Sequence, residues 1–233
     1  YLYFKEMNIS KRQIEEHKDR DILILSKGHS VLAQYAALAE LGVIPEEELE
    51  NLKKIGGMLQ GHPDMIKTPG IEANTGSLGQ GLSISLGLAL GFKLKQQKNR
   101  IFTILGDGEL AEGQVWEAIM AISNFGIGSI TAIVDRNRFQ ATGATSKRFL
   151  IPDLEKKWES FGWHVAVAEG HDFESIAHAF DEVRIYKDIP SVIIANTVKG
   201  KGFPFAENTH AYHNRNLTKT ELSMAHEILY QKV

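Results

Sequence analysis

Residues 101–109 read Ile101-Phe102-Thr103-Ile104-Leu105-Gly106-Asp107-Gly108-Glu109. A short apolar, β-branched run stops abruptly at two glycines that flank a carboxylate. Such a run predicts a buried strand over 101–105. The glycines allow a tight turn and bring backbone amides close to an anion, and the aspartate between them is free to meet a hard cation. That combination suits a magnesium diphosphate. Alone, Gly-Asp-Gly also suits an ordinary turn, so its meaning depends on what surrounds it.

Outward from this point the same rhythm repeats. Apolar runs at 130–135 and 191–196, with a fourth at 163–168, alternate with helical segments at 112–125, 153–161 and 173–186. Continuously apolar strands alternating with helices predict an α/β fold, a doubly wound parallel sheet flanked by helices. In such sheets ligands sit beyond the carboxyl ends of the strands, so the segments after Leu105, Asp135 and Asn196 should converge. Upstream, 30–41 reads as a buried helix closed by Gly42, and Pro45 opens a surface helix over 46–53. Residues 56–76 read as a long loop, a length that is uncommon without a function. The helix predicted over 78–95 carries Gly79, Gly81, Gly87 and Gly91, so another backbone or a ligand should lie against it. A last helix is expected over 218–230.

Composition narrows the function classes. The 233 residues are 43% hydrophobic and 24% charged, with a formal net charge of -3; this is a globular composition, read as one domain spanning 1–233. The charge gives no general reason to bind nucleic acid. There is no cysteine, so disulfides, thiolate nucleophiles and zinc-thiolate sites are excluded, and a reducing, cytoplasmic setting is expected. No stretch resembles a signal peptide or a membrane span. The chain opens at Tyr1 without a Met and with apolar residues in its first turn, which leads us to expect further residues upstream.

The second strand end reads Ile133-Val134-Asp135-Arg136-Asn137-Arg138-Phe139, with Asn137 about thirty residues after Asp107. An amide oxygen and a main-chain carbonyl from this segment can complete an oxygen cage with Asp107, leaving positions for phosphate and water. The P-loop pattern is absent, and Gly76-Ser77-Leu78-Gly79-Gln80-Gly81 has the wrong order for a dinucleotide fingerprint. The Gly-Asp-Gly and Asn pair resembles the magnesium-diphosphate signature of thiamine-diphosphate enzymes. Leu25-Ser26-Lys27-Gly28-His29, Gly61-His62-Pro63, Asn74-Thr75-Gly76-Ser77-Leu78-Gly79-Gln80-Gly81, Gly106-Asp107-Gly108-Glu109 with Glu112-Gly113 and Trp116-Glu117, and Lys199-Gly200-Lys201-Gly202 resemble the first domain of transketolases, in type and in order, over nearly the whole chain.

That resemblance implies a residue-by-residue assignment. Asp107, Asn137 and the carbonyl of Phe139 would hold Mg2+, for which Ca2+ or Mn2+ could substitute. Gly108 and Asn137 would contact the diphosphate of thiamine diphosphate, and Gly76, Ser77 and Leu78 would lie against its aminopyrimidine and thiazolium. His29 matches a histidine near the cofactor, His62 one that touches the hydroxyl end of the ketose donor, and His213 one that reaches diphosphate and substrate. His210 competes with His213, and Asn214 replaces the family's usual glycine. Glu112 matches an acid linking two active sites across a dimer; it also reads as a helix-start carboxylate. Lys199 and Lys201 read as phosphate-attracting or as a solvated basic loop. His17, His164, His171, His178 and His226 read as surface or satisfied core residues.

The implied activity is two-carbon ketol transfer from a ketose or its phosphate to an aldose or its phosphate, as in the pentose phosphate pathway. The family's pyrimidine-binding domain has no counterpart here. The resemblance therefore implies that the partner is a separate C-terminal subunit, in a dimer of heterodimers (a heterotetramer). A deoxyxylulose-phosphate synthase-like or 2-oxo-acid dehydrogenase-like subunit, and a non-catalytic assembly subunit, remain as alternatives.

Overall fold

The computed structural model describes residues 1–230; positions 231–233 of the expected domain lie outside them. Strands β1 (Ile22–Leu25), β2 (Ile101–Gly106), β3 (Ile130–Arg136), the two-residue β4 (Phe139–Gln140) and β5 (Gly143–Ala144), β6 (His164–Glu169) and β7 (Ser191–Asn196) follow in chain order. The helices are α1 (Lys11–Glu15), α2 (Val31–Glu40), α3 (Gly81–Leu94), α4 (Gly113–Asn124), α5 (Thr145–Arg148), α6 (Leu154–Ser160), α7 (Phe173–Val183) and α8 (Lys219–Tyr230). Five strands form one parallel sheet in the order β1-β2-β3-β7-β6, and β4 and β5 pair as a separate antiparallel hairpin.

The burial pattern follows position in the sheet. β7 lies between β3 and β6, and its first five residues are all buried, as expected for a strand covered on both faces. The edge strand β6 alternates instead, leaving Val167 49% exposed. Two apolar clusters sandwich the sheet. One gathers Leu82 and Ala89 of α3, Val115 and Ile119 of α4 and Trp158 of α6; the other gathers Tyr35 and Leu38 of α2, Phe180 of α7, and Tyr3 and Ile14 from the N-terminal segment. Fully burying each aliphatic side chain contributes about 1.5–3 kcal/mol, so both layers hold the sheet, and the doubly wound expectation is met.

Several local expectations change. β1 is an addition, since four consecutive apolar residues are too short to show a period. α3 starts at Gly81, not at 78, because Gly79 takes φ +84° and its Cβ position lies 2.8 Å from Glu112 Cβ. At Gly81 a Cβ would come within 2.4 Å of Ser26. Those two glycines are packed as expected, whereas Gly87 and Gly91 meet nothing within 4 Å. The surface helix over 46–53 is a 3-10 segment, Glu46–Asn51, without a side-chain cap; three adjacent glutamates repel one another in its first turn. α8 begins with a reciprocal cap, Glu221 N–H donating to Thr218 Oγ1 at 3.3 Å and Thr218 N–H to Glu221 at 2.7 Å. Among the described residues no helix is long and apolar enough to cross a membrane.

Candidate active site

The chain winds from β1 through β2 to β3 in one direction, then crosses to edge strand β6 and returns to β7. The winding therefore reverses between β3 and β7, and a crevice opens beyond the strand ends at such a point. A cavity of about 590 Å³ lies there, lined by Lys27 after β1, Asp107 and Gly108 after β2, Asp135 and Asn137 at the end of β3, and Thr197 and Lys199 after β7.

Asp107 and Asn137 face this cavity from adjacent strands. Asp107 accepts backbone N–H groups from Gly108 at 2.8 Å and Arg138 at 2.6 Å. The second contact is made by a residue at φ +66°, so the turn after β3 is shaped around the carboxylate. Burial pushes the Asp107 pKa up to about 6 against those two donors, with nearby Asp135 adding to the rise. A cation at this position would relieve that burdened charge. Asn137 Oδ1 accepts Phe139 N–H at 2.9 Å, which fixes the amide. Gly108 lies so close to Gln140 that a Cβ would come within 2.9 Å of Gln140 Cβ; an amide-lined approach for an anion is kept free by the missing side chain. Among the described residues no three His, Cys, Asp or Glu side chains gather into a metal-binding group. The donor set on offer is one carboxylate, one amide and a main-chain carbonyl, all oxygen, which fits Mg2+ completed by phosphate oxygens and water.

His29 and His213 line the cavity with rings 5.1 Å apart. Burial, then His213, Lys27 and other positive neighbours lower the His29 pKa to about 4; burial, then Lys199 and Lys27 lower that of His213. Both rings are neutral at pH 7. The His213 Nδ1 lies 3.2 Å from Lys199 Nζ. An ammonium only donates, so Nδ1 accepts and the ring proton sits on Nε2. His210 is exposed. Leu78 and Glu112 also line the cavity. Gly76 and Ser77 lie just outside it, with the His62 ring packed on Gly76, whose Cβ position is 2.9 Å from the ring. His62, Ser77 and Glu112 are exposed.

Residues that the sequence does not single out hold these parts together. Glu109, 3% exposed, accepts Ser26 Oγ–H, Gly79 N–H at 2.8 Å and Gly106 N–H at 3.1 Å, which ties the ends of β1 and β2 to the start of α3. Gly28 admits the backbone of Thr75, whose oxygen lies 2.6 Å from its Cβ position, and Thr75 Oγ1 donates to Leu25 O at 2.7 Å. Asp135 is ion-paired to Lys27 and accepts from Thr197 Oγ1. Burial opposes its ionisation, but Lys27, Thr197 and Asn137 outweigh it and hold the pKa below the usual aspartate value. His171, expected to be a surface or satisfied core residue, lines the cavity and accepts Val198 N–H at 2.8 Å, steadying the loop that carries Lys199. Its glycine neighbour, Gly170, is the one local signal for that position.

Comparison with known proteins places this geometry in a family. The model described as transketolase, thiamine diphosphate binding domain, matches residues 1–231. A 6-deoxy-6-sulfo-D-fructose transketolase subunit from Clostridium sp. (strain MSTE9) is 43% identical over 218 residues, covering 94% of this chain and 79% of that subunit. One of the apulose-4-phosphate transketolase subunits, from Actinobacillus succinogenes, is 38% identical, covering 98% of this chain and 82% of its own length. The solved transketolase from Leishmania mexicana superposes with a TM-score of 0.90 at 26% identity, over 97% of this chain but 36% of that one. This chain, with Asp107 and Asn137 set thirty residues apart at the ends of adjacent strands beside the switch point, belongs to the transketolase thiamine diphosphate-binding domain family.

Proposed function

We propose that the chain is the diphosphate-binding subunit of a transketolase-type enzyme that moves a two-carbon ketol unit from a ketose to an aldose, with thiamine diphosphate and Mg2+. The observation that carries this is the meeting of Asp107 and Asn137 at adjacent strand ends, beside the amide-lined approach at Gly108. Asp107, Asn137 and the Phe139 carbonyl hold the cation. Gly108 and Asn137 meet the diphosphate, and Gly76, Ser77 and Leu78 support the thiazolium side. When bound, thiamine diphosphate supplies stabilisation of carbanion character beside a carbonyl.

The chain's own groups orient the sugar and handle protons. Neutral His29 is able to accept a proton, whereas His213, whose Nδ1 accepts from Lys199, presents its Nε2–H to the site as a hydrogen-bond donor. His62, at the exposed rim, binds the hydroxyl end of the donor. Glu112, at the edge of the cavity, connects to a second site across a dimer. A separate pyrimidine-binding subunit completes the centre in a two-plus-two assembly. Both subunit relatives are named for ketoses that carry a strong anion, a sulfo group or a phosphate, and this supports an anionic ketose as donor.

Titration calorimetry of magnesium thiamine diphosphate into the chain, both by itself and mixed with the pyrimidine-binding partner, tests the shared site, followed by assay of ketose-to-aldose transfer. Binding that tightens in the mixture, with two-carbon transfer, is expected. Carbon dioxide release from pyruvate without transfer would replace this reading with that of another thiamine-dependent enzyme, and tight binding without turnover would leave a non-catalytic role.

A further inference from the structure

Among the described residues, Lys27 is a cation that reaches past the end of β2, from the end of β1 to the end of β3. It follows β1, yet its ammonium pairs with Asp135 at the end of β3, 108 residues away. Its stem runs across Gly106, with Cδ 3.6 Å from that residue's Cβ position, so the strand end beside Asp107 is what supports the side chain. The Lys27 and Asp135 side chains are 14% and 26% exposed, and Thr197 Oγ1 holds the other Asp135 oxygen. The ammonium is thereby fixed from below and opens on the cavity.

Among the described residues Asp135 is the only hydrogen-bond acceptor of the Lys27 ammonium. An ammonium carries three N–H donors, which leaves two for the space above Asp107. Its charge is felt across that space: it contributes to the lowered pKa values of His29, Lys199 and His213, which come from different segments, after burial and, for the histidines, alongside other cations. The bound group also asks for it. A diphosphate monoester carries more negative charge than one divalent cation neutralises, and Asp107 adds another.

We propose that Lys27 is a diphosphate-contacting residue of this site, with Asp135 and Thr197 acting through it as positioning residues. The inference rests on the cavity being a diphosphate site. Donation to both inner acceptor and ligand lets Lys27 balance the anion without leaving Asp135 unpaired, so the side chain need not move when the site fills.

The test is calorimetry on the full chain with magnesium pyrophosphate and with magnesium thiamine diphosphate, on wild type, Lys27→Met, Lys27→Arg and the double variant Lys27→Met/Asp135→Asn, together with each protein's melting temperature. The double variant keeps the net charge and removes the orphaned carboxylate, so it separates ligand contact from fold. Lys27→Met and the double variant should both lose roughly ten- to a hundredfold in affinity for either probe, the scale of a charge-assisted hydrogen bond. The double variant should melt closer to wild type than Lys27→Met does, and Lys27→Arg should bind between wild type and Lys27→Met. Wild-type affinity in the double variant would overturn the proposal and leave Lys27 as a structural ion pair. Absence of binding by wild type to both probes would remove the diphosphate site itself, and this inference with it.

Discussion

At one end of the site, within the cavity, Lys27, Asp107 and Asp135 are partly buried and each is held by partners from other segments; at the other, Glu112 on the cavity wall and His62 and Ser77 outside it stand exposed on loops and a helix start. The first end is pre-organised by the sheet. Its charges are spread over strand termini that the parallel ladder fixes in register, with Gly106 opposite Asp135. The second end presents groups without enclosing them. Pre-organised donors cost little reorganisation when a ligand arrives, so cofactor anchoring should be a property of this chain, and sugar handling should depend on what covers the open end.

The strongest way to break that contrast is Asp107→Ala. It should remove magnesium-dependent affinity for thiamine diphosphate, a loss of at least about a hundredfold on the scale of a buried charged contact, while His62→Ala should shift that affinity by less than about threefold and act on the ketose KM. Calorimetry beside donor kinetics checks both, and equal effects would erase the distinction between the two ends. Next comes Glu109→Ala, which orphans Ser26 Oγ–H and two backbone N–H groups; urea unfolding should show about 2–4 kcal/mol of lost stability, and a loss below about 0.5 kcal/mol, the range of a neutral surface change, would deny that this carboxylate braces the pocket.

A smaller effect sharpens the picture at Gly108. Gly108→Ala should weaken cofactor binding by about tenfold, a cost of roughly 1–3 kcal/mol for a forced overlap, because its Cβ meets Gln140 Cβ. Adding Gln140→Gly should recover most of the loss. The smallest effect concerns His29. With a folded pKa of about 4 against the ordinary 6.5, the unfolded chain binds the extra proton between those values. His29 therefore takes stability away as pH falls from 6.5 towards 4 and takes none above that window. His29→Gln should flatten this part of the stability curve slightly, since the ring is only half-buried and solvent screens much of the effect, and the ring signals of wild type should show no NMR titration above about pH 5.5.

Local grammar makes part of this legible. The runs ending at Leu105, Asp135 and Asn196 are apolar and β-branched, so their strands and the convergence of their ends follow from composition and spacing. Asp107 and Asn137 stand out because glycines and a fixed interval surround them. Lys27 does not: its meaning comes from Asp135, 108 residues on, and no local period carries such a distance. Glu109 looks like part of a turn, whereas its partners sit at Ser26 and Gly79, far along the chain. Gly87 and Gly91 show the converse limit, since glycine density promises close packing that, within this helical stretch, holds at Gly79 and Gly81 alone.

The pairing of β1 with β2 has a consequence for how the protein is made. Ile22 aligns with Ile101, so β1 leaves the ribosome about eighty residues before its neighbour exists. At roughly 5–20 residues per second, that wait is about 4–16 s, during which Ile22-Leu23-Ile24-Leu25 has no sheet to join. Parallel pairing over such a separation is slow and exposes apolar chain to aggregation. Polar substitutions in β1 should accordingly show first as poor yield of folded protein during synthesis, before any loss of function in the molecules that do fold.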